Sequence, residues 1–210
     1  MSCSYFTAAE SASAEVTIEK SRFIAYVEPV SSREEAEAFI NAIREINHDA
    51  THNVPVFVIG KDQNEMWSSE DGEPQGTAGA PVLKMLLTEG LSDVCIVITR
   101  YFGGIKLGTG GLVRAYTQVA KAALQKAGRA EVRDMLVMEM SCGYKTYNRI
   151  EKYDFGGRTI VRNPQYMDTV RFEFVTDPDD EEEMTALLRD VSGDSVELLE
   201  KMITQIKIMC

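Results

Sequence analysis

The spacing of apolar residues in the first quarter of the chain predicts strands followed by one amphipathic helix. Residues 5–29 are rich in β-branched and alternating apolar positions, which predicts two or three strands. Ser32 and Glu35 form a capping-box pattern at the start of a helix, and another strand is predicted at 54–59. The apolar positions of that helix are Ala36, Phe39, Ile40, Ile43 and Ile46.

The middle of the chain is organised around a strand-to-helix turn. Residues 68–81 are acidic, polar and dense in turn formers, which predicts a loop, with Thr77 as the cap of a short helix that Gly90 ends. The apolar run 94–99 predicts a buried strand, and an Ala-rich periodic pattern predicts a helix from Leu112 to Ala127. The turn therefore lies between two well-defined elements.

The last third of the chain shows the element order β-α-β-β-α-β, which is the split βαβ, ferredoxin-like arrangement. Its predicted strands are 132–140, 158–162, 167–175 and 195–209, and its predicted helices are 144–153 and 179–191. We therefore predict an α+β protein of two domains, 1–133 and 134–210, which meet near Asp134.

The turn itself, residues 100–116, carries the chemistry that is most specific in this sequence. Five glycines leave backbone N–H groups uncovered, and the last three lie where a helix would begin. Such groups at a helix start favour an anion. Arg100, Lys106 and Arg114 add positive charge. Glycine pairs also serve close backbone packing or positive φ, so a purely structural turn stays an equal alternative. The glycines are Gly103, Gly104, Gly108, Gly110 and Gly111.

Positive charge is concentrated around this turn. Residues 100–133 contain seven Lys or Arg and one Glu, a local net charge of +6, in a chain whose formal charge is −11. The remaining residues therefore carry −17, which argues against general binding to nucleic acid and favours one docking surface. The exposed face of the predicted helix contains Arg114, Gln118, Lys121 and Gln125.

A second group of polar residues precedes the turn. Two histidines, His48 and His52, straddle a helix-to-strand change, and the sequence offers no third ligand at metal spacing, so we predict no metal site there. The carboxylates of the loop have three possible roles: they hold a hard cation, contact a basic partner or are solvated. Because opposite charges stabilise one another, we expect the acidic loop to lie beside the basic turn. Those carboxylates are Glu70, Asp71 and Glu73.

The composition is that of an ordinary globular protein, with 44% hydrophobic and 26% charged residues. No basic segment followed by an apolar stretch begins the sequence, which predicts a cytoplasmic protein without a membrane segment. The cysteines are too far apart for metal-binding pairs, and we expect reduced thiols and no cofactor. They are Cys3, Cys95, Cys142 and Cys210.

The polar loop and the turn together resemble the signature of the YigZ/IMPACT family. The resemblance covers about residues 15–130 and includes Glu70 to Gly79, Gly90 to Gly108, and Ala50-Thr51-His52-Asn53. It implies an N-terminal α/β sandwich like domain IV of elongation factor G, and a C-terminal half like that factor's last domain. Both of these relatives contact RNA or the ribosome.

The same resemblance implies a role in translation. Eukaryotic IMPACT proteins regulate translation during amino-acid starvation by binding a kinase-activating scaffold, and they carry an additional N-terminal RWD domain. The residues before residue 15 are too few for such a domain, so the eukaryotic partner is not expected here.

Three functions remain open from the sequence. The first is a translation-associated protein that binds RNA or the ribosome and has no catalytic residue. The residues predicted to contact the anion are Arg100, Tyr101, Lys106, Gly108, Thr109, Gly110, Gly111, Arg114 and Lys121. Tyr101 and Phe102 are candidates for stacking on bases, or for the core. The second is a regulator that binds a protein partner through the acidic loop and basic helix.

The third function is a hydrolase of a phosphorylated or peptide-like substrate. In this hypothesis His52 is the base, a loop carboxylate is the acid, and Ser69 or Thr109 is the nucleophile, although no nucleophile-base spacing supports it. The predicted cleft consists of His52, Asn53, Glu70, Asp71, Glu73 and Thr77. Convergence of His52, Glu73 and Arg100 on one place would distinguish these hypotheses.

Overall fold

The structure, a computed structural model, describes residues 4–209. The strands are β1 Ser4–Ala8, β2 Ala12–Ile18, β3 Ser21–Pro29, β4 His52–Ile59, β5 Glu65–Ser68, β6 Val94–Tyr101, β7 Arg129–Cys142, β8 Thr159–Tyr166, β9 Val170–Thr176 and β10 Val196–Met209. The helices are α1 Arg33–Ile46, α2 Gly79–Thr88, α3 Gly108–Ala127, α4 Tyr144–Lys152 and α5 Glu181–Ser192, with a 3-10 turn, Pro178–Asp180, before α5. None of the helices described in 4–209 is long and apolar enough to cross a membrane.

The described residues divide into two units. The N-terminal unit contains 5–132 and 207–209, and the C-terminal unit contains residue 4 and 133–206. Both units combine sheets with helices, so the α+β class predicted from the sequence is confirmed. Strand β7 runs through the predicted boundary at Asp134 without a break, and the independence of the two domains stays a prediction.

The N-terminal unit is a layered sandwich around a five-stranded antiparallel sheet in the order β2-β3-β6-β4-β5. Helix α1 packs on one face, through Ala36, Ile40 and Ile43. Helices α2 and α3 pack on the other face, against alternate residues of β3, β4 and β6. The central strand β6 is buried on both faces, which explains its unbroken apolar run.

Helix α1 shows both the strength and the limit of the periodic pattern. Ser32 caps it as predicted, accepting from the Glu35 backbone N–H at 3.2 Å, while the Glu35 carboxylate accepts from the Ser31 N–H at 2.7 Å. The prediction that Ile46 is buried is wrong, because its side chain is 69% exposed. At 100° per residue, Ile46 lies about 90° away from the mean direction of the three buried residues of α1.

The C-terminal unit has the predicted ferredoxin-like arrangement. Its strands belong to a five-stranded sheet with the order β1-β7-β9-β8, in which β10 also pairs with β7. The first and third strands of the unit, β7 and β9, are therefore central neighbours. Helices α4 and α5 contribute to one apolar core with alternate residues of β7 and β9. Large members of that core are Leu136, Met138, Tyr147, Ile150, Phe172, Phe174 and Leu188.

One strand that was not predicted and the boundaries of the β8–β9 hairpin are the main differences from the elements expected from the sequence. The short strand β5 was not predicted, because its four residues show too little periodicity. Strand β8 extends to Tyr166 through a register shift between Arg162 and Gln165, and β9 starts at Val170 and not at 167. The intervening residues form the hairpin turn, closed by a 2.9 Å hydrogen bond from the Met167 N–H to the Thr169 carbonyl.

Candidate functional site

A buried ion pair joins the acidic loop to the strand that precedes the glycine-rich turn. The Glu73 Oε1 atom accepts from Arg100 Nη1 at 2.6 Å and from the Tyr116 hydroxyl at 2.7 Å. Glu73 and Arg100 are only 8% and 5% exposed. The predicted proximity of the loop and the turn is therefore confirmed, and the contact is buried inside the unit.

His52 completes this cluster. The antiparallel register of β4 and β6 places His52 opposite Arg100, and its Nε2 lies 3.8 Å from Glu73 Oε1. Its Nδ1 lies 2.7 Å from the Asp71 carbonyl oxygen. Because a carbonyl only accepts, Nδ1 carries the proton, and Nε2 is the nitrogen directed towards Glu73. His52, Glu73 and Arg100 thus converge on one place.

Asp71 positions the same segment from the other side. Its carboxylate accepts from the Asn53 N–H at 2.6 Å and lies 3.6 Å from the Arg44 guanidinium. The Asn53 side chain accepts from Thr99 Oγ1 at 2.7 Å and donates to the Asn47 carbonyl at 3.1 Å. Asn53 is therefore fixed within the sheet and is not directed towards a ligand.

Glu70 performs the capping role that the sequence assigned to Thr77. Its carboxylate accepts from the N–H groups of Ala78, Gly79 and Ala80 at 2.7, 3.2 and 3.2 Å, at the start of α2. The Thr77 hydroxyl instead donates to the Pro74 carbonyl at 2.6 Å. The prediction of Thr77 as the cap is wrong, because a longer carboxylate side chain reaches three orphan N–H groups at once.

The three carboxylates of the acidic loop therefore have separate protein partners. Glu70 caps α2, Asp71 binds a strand backbone, and Glu73 pairs with Arg100. Across residues 4–209, no group of three or more His, Cys, Asp or Glu is arranged to hold a metal ion. These contacts account for each carboxylate without a cation or a basic partner.

Burial changes the pKa values of two titratable groups of the N-terminal unit, Tyr116 and Cys95. Burial raises the pKa of the Tyr116 phenol far above its ordinary value, and the neighbouring Glu73 carboxylate raises it further. Burial likewise raises the pKa of the Cys95 thiol. Both groups stay neutral at neutral pH, so neither is an activated nucleophile.

The Arg100 side chain contacts other residues of the N-terminal unit. Besides Glu73, its Nη2 lies 3.4 Å from Ser21 Oγ, while its Nε has no partner among the described residues. Its guanidinium is 5.3 Å from the centroid of the Phe23 ring and 5.4 Å from that of the Phe102 ring. The sequence placed Arg100 among the anion-contacting residues, but the structure buries it, so it is not offered to an external phosphate.

Tyr101 is also held within the unit. Its hydroxyl lies 3.2 Å from the Asn47 side-chain oxygen and 3.2 Å from an Asp49 carboxylate oxygen. Burial raises the pKa of this hydroxyl, and Asp49 raises it further. The next residue, Phe102, is 46% exposed.

Close backbone packing at Gly103 fixes the start of the glycine-rich turn. A Cβ on Gly103 would lie 2.0 Å from the Lys20 carbonyl group, so only glycine fits. Its N–H donates to Ser21 Oγ at 3.2 Å. The structural interpretation of the glycines is thus correct at Gly103.

The later glycines have a different role. Helix α3 begins at Gly108, so Gly108, Thr109, Gly110 and Gly111 form its first turn, ahead of the periodic pattern that continues from Leu112. No side chain caps this turn, and no carboxylate lies within it. Its N–H groups are therefore at the positive end of a 20-residue helix, with little side chain over them.

Two cations flank this helix start. Lys106 and Arg114 are exposed, and neither forms an ion pair with any residue in 4–209. A Cβ on Gly110 would lie 3.9 Å from Arg114 Nη1, so the guanidinium lies beside the first turn. We call Lys106, the four residues 108–111 and Arg114 the helix-start surface.

A depression of about 440 Å³ lies at the helix-start surface. Glu19 lies on its rim, but Lys106 and Arg114 outnumber this carboxylate. Further along α3, Lys121 is exposed and lies 3.6 Å from the Glu89 carboxylate. The depression is lined by Ile18, Glu19, Ile105, Lys106, Leu107, Gly111, Arg114 and Gln118.

The elements required for a hydrolase are not assembled here. Ser69 Oγ accepts from the Asp71 N–H at 3.1 Å. Thr109 is in the exposed first turn of α3. Among the hydrogen bonds of the described residues, none joins His52 to Ser69 or Thr109.

Sequence reasoning missed two contributors to this region. Tyr116 occupies an apolar position of the predicted helix, which indicates a core residue. Its hydroxyl contact to Glu73 has no signal in the sequence. Ser21 contacts both Arg100 and Gly103 from the adjacent hairpin. The charge of Arg100 in a buried strand was the available signal that a carboxylate must lie nearby.

Comparison with known proteins places this geometry in a family. The family model for the Impact N-terminal domain matches residues 19–124, which include the ion-pair cluster and the helix-start surface. The IMPACT family member YvyE of Bacillus subtilis is 38% identical over an alignment of 211 positions that covers 97% of each chain. The chain belongs to the IMPACT family.

Two further matches extend over most of this IMPACT family chain. The family member YigZ of Escherichia coli is 34% identical over 186 residues, covering 87% of this chain and 90% of the relative. A solved structure described as a hypothetical protein matches with a TM-score of 0.61 and 32% identity, covering 93% of this chain and 96% of that chain. Both matches therefore extend beyond the N-terminal unit into the C-terminal unit of this chain.

Proposed function

We propose that this protein acts in translation by binding RNA, free or in the ribosome, through the helix-start surface. The observation that carries the proposal is the uncapped first turn of α3, flanked by the exposed cations Lys106 and Arg114. Backbone N–H groups at a helix start and two unpaired cations are groups that bind phosphate. Membership of a family whose eukaryotic members regulate translation supports the cellular context.

Charge distribution supports a local contact. The chain carries a formal charge of −11, so the rest of the surface repels a polyanion. Lys121 lies seven residues after Arg114 on the exposed stripe of α3, about 10 Å along the helix axis. A single strand that follows this stripe meets Lys106, Arg114 and Lys121 in succession.

The protein-partner alternative has less support than it had from the sequence. It required the acidic loop to be free for a basic partner, and the loop carboxylates are bound to Ala78, Asn53 and Arg100. The hydrolase alternative lacks a nucleophile beside His52. Neither alternative gives a role to the uncapped helix start.

Titration with labelled single-stranded RNA across salt concentrations tests the proposal. Three phosphate contacts predict a slope of log K against log salt near −2, using about 0.7 per phosphate. The variant K106A/R114A should flatten the slope to about −0.7, because one of the three contacts remains. A matched control, K61A/K152A, removes the same charge from exposed positions elsewhere and should leave the slope unchanged.

Two results would contradict the proposal. One is the absence of RNA binding at low salt. The other is an equal loss of slope in K61A/K152A and K106A/R114A, which would show that only net charge matters.

A further inference from the structure

The buried cluster of Glu73 and Arg100 has a direct structural effect on one exposed aromatic ring. The Arg100 guanidinium, held by Glu73 at 2.6 Å, lies 5.4 Å from the centroid of the Phe102 ring. The Phe102 side chain is nevertheless 46% exposed. One side of this ring is therefore supported by a fixed cation, and much of the ring faces solvent.

The backbone around Phe102 is fixed as well. The Phe102 N–H donates to Thr51 Oγ1 at 3.0 Å, and the Gly103 N–H donates to Ser21 Oγ at 3.2 Å. Gly103 also packs directly against Lys20, where a Cβ would lie 2.0 Å from the carbonyl group. An exposed aromatic side chain on such a constrained segment loses little conformational entropy when it binds a ligand.

Phe102 and the helix-start surface border the same tight turn. The hairpin of β2 and β3 pairs Ile18 with Ser21 and turns through two residues with positive φ, Glu19 and Lys20. Gly103 packs against Lys20 and Ser21, while Ile18 and Glu19 line the depression at Lys106 and Arg114. The residue that follows Phe102 therefore borders the same turn as the depression that contains the cations proposed to bind phosphate.

We infer that Phe102 stacks on an unpaired base of single-stranded RNA whose phosphates lie on the helix-start surface. This inference rests on the proposed function, and it names the form of the ligand. Aromatic rings stack on unpaired bases, whereas a duplex keeps its bases stacked on one another. Arg100 is a positioning residue, since it acts through the ring above it. Single-stranded RNA is then preferred over duplex RNA of the same charge.

The test compares Phe102→Ala with Met66→Ala in the full-length chain. Met66 is a matched control, because it is a 50% exposed apolar residue of β5, has no aromatic ring and lies outside the helix-start surface. F102A should weaken the binding of a single-stranded oligoribonucleotide about 5- to 150-fold, the range given by removal of one stacked base. The salt slope should stay unchanged, and duplex binding should change less than twofold.

Fluorescence gives a readout that a purely structural role would not move. An oligoribonucleotide containing 2-aminopurine should show quenching on binding to the wild-type protein and to Phe102→Trp, and lose it with F102A. Trp67 is the single tryptophan of the wild type and of F102A. Its fluorescence in these two proteins shows whether the fold is intact.

The outcomes separate this inference from the proposed function. If wild-type protein binds with the predicted salt slope but F102A and M66A behave alike, stacking is wrong and the phosphate contact stands. If single-stranded and duplex RNA bind equally, stacking is also wrong. If the wild type binds no RNA at low salt, both proposals are wrong.

Discussion

The two units of this protein have cores of different kinds. The N-terminal core contains a buried carboxylate, a buried guanidinium and a buried phenol in one hydrogen-bonded cluster, Glu73, Arg100 and Tyr116. The C-terminal core cluster is built from aliphatic, aromatic and sulfur-containing side chains, and the charged groups on its strands and helices lie outside it. An example is Glu173, whose pKa is lowered by hydrogen bonds from Asn163 and then Arg162 near the surface.

This difference indicates where the specific chemistry lies. A buried ion pair is costly to desolvate, and apolar residues of similar size often give equal or greater stability. Stability alone therefore does not explain the Glu73–Arg100 pair. The pair orders the segment that leads into the helix-start surface, while the described core cluster of the C-terminal unit contains no charged side chain.

The largest effect expected from this comparison is on the N-terminal unit. Glu73→Gln leaves the Arg100 charge buried without a counter-ion, and we expect a loss of about 3 to 5 kcal/mol in the free energy of unfolding. Denaturant titration monitored through Trp67 measures it. Glu37→Gln, which breaks the exposed pair with Arg33, is the control and should cost less than about 1 kcal/mol. Equal losses in the two variants would contradict the account.

The apolar core of the C-terminal unit predicts a different response. Ile150 is fully buried in that core, so Ile150→Ala should cost about 2 to 5 kcal/mol through the lost contacts and the cavity. If the two units unfold separately, amide hydrogen exchange should become faster in β9 and stay unchanged in β6. Leu198→Ala, at a half-exposed position of β10, is the control and should have a smaller effect. Faster exchange in both strands would show that the units unfold together.

The smallest expected effect is the loss of stability at alkaline pH. A buried tyrosine in each core, Tyr147 and Tyr116, allows the two units to be compared. Burial raises the pKa of Tyr147 to about 12, against about 10 in an unfolded chain. The neutral phenol thus contributes stability that is complete below pH 10 and is lost as pH rises towards 12, by about 1 to 2 kcal/mol. Unfolding titrations followed by circular dichroism at pH 9 and pH 11.5 measure this loss.

One tyrosine variant and a second buried tyrosine provide controls for the alkaline measurement. Tyr147→Phe should reduce the loss between pH 9 and 11.5, because it removes the titrating group. Burial and Glu73 raise the pKa of Tyr116 further. The stability contributed by the neutral Tyr116 phenol should therefore be lost at a higher pH than that contributed by Tyr147. An identical pH dependence in Tyr147→Phe and wild type would show that this phenol does not control the loss.

Local patterns in the sequence predicted most of the fold. Helix α1 and strand β6 follow from periodicity and capping, and the order β7-α4-β8-β9-α5-β10 follows from the alternation of strand and helix signals. The short edge strand β5 was missed, because a four-residue strand carries almost no periodic signal. The glycines at 108–111 were predicted to lie where a helix begins, and they form the first turn of α3 although glycine has low helix propensity.

The site was predicted less completely, because its contacts are long-range. Opposite charge was enough to predict that Glu73 lies near Arg100, which is 27 residues away in sequence. It was not enough to show that the pair is buried, since burial depends on how α3 and Tyr116 pack over the sheet. The assignment of Glu70 as the cap of α2 required three-dimensional reach across eight to ten residues.

The most direct test of the account is a titration of ¹⁵N-labelled protein with single-stranded RNA, followed through backbone amide resonances. The account predicts that the amides of Gly108, Thr109, Gly110 and Gly111 shift together and saturate with the RNA, because their N–H groups bind phosphate. K106A/R114A should need more RNA to reach the same shifts. Shifts confined to the C-terminal unit, or no shift in residues 108–111 at saturating RNA, would contradict the central claim.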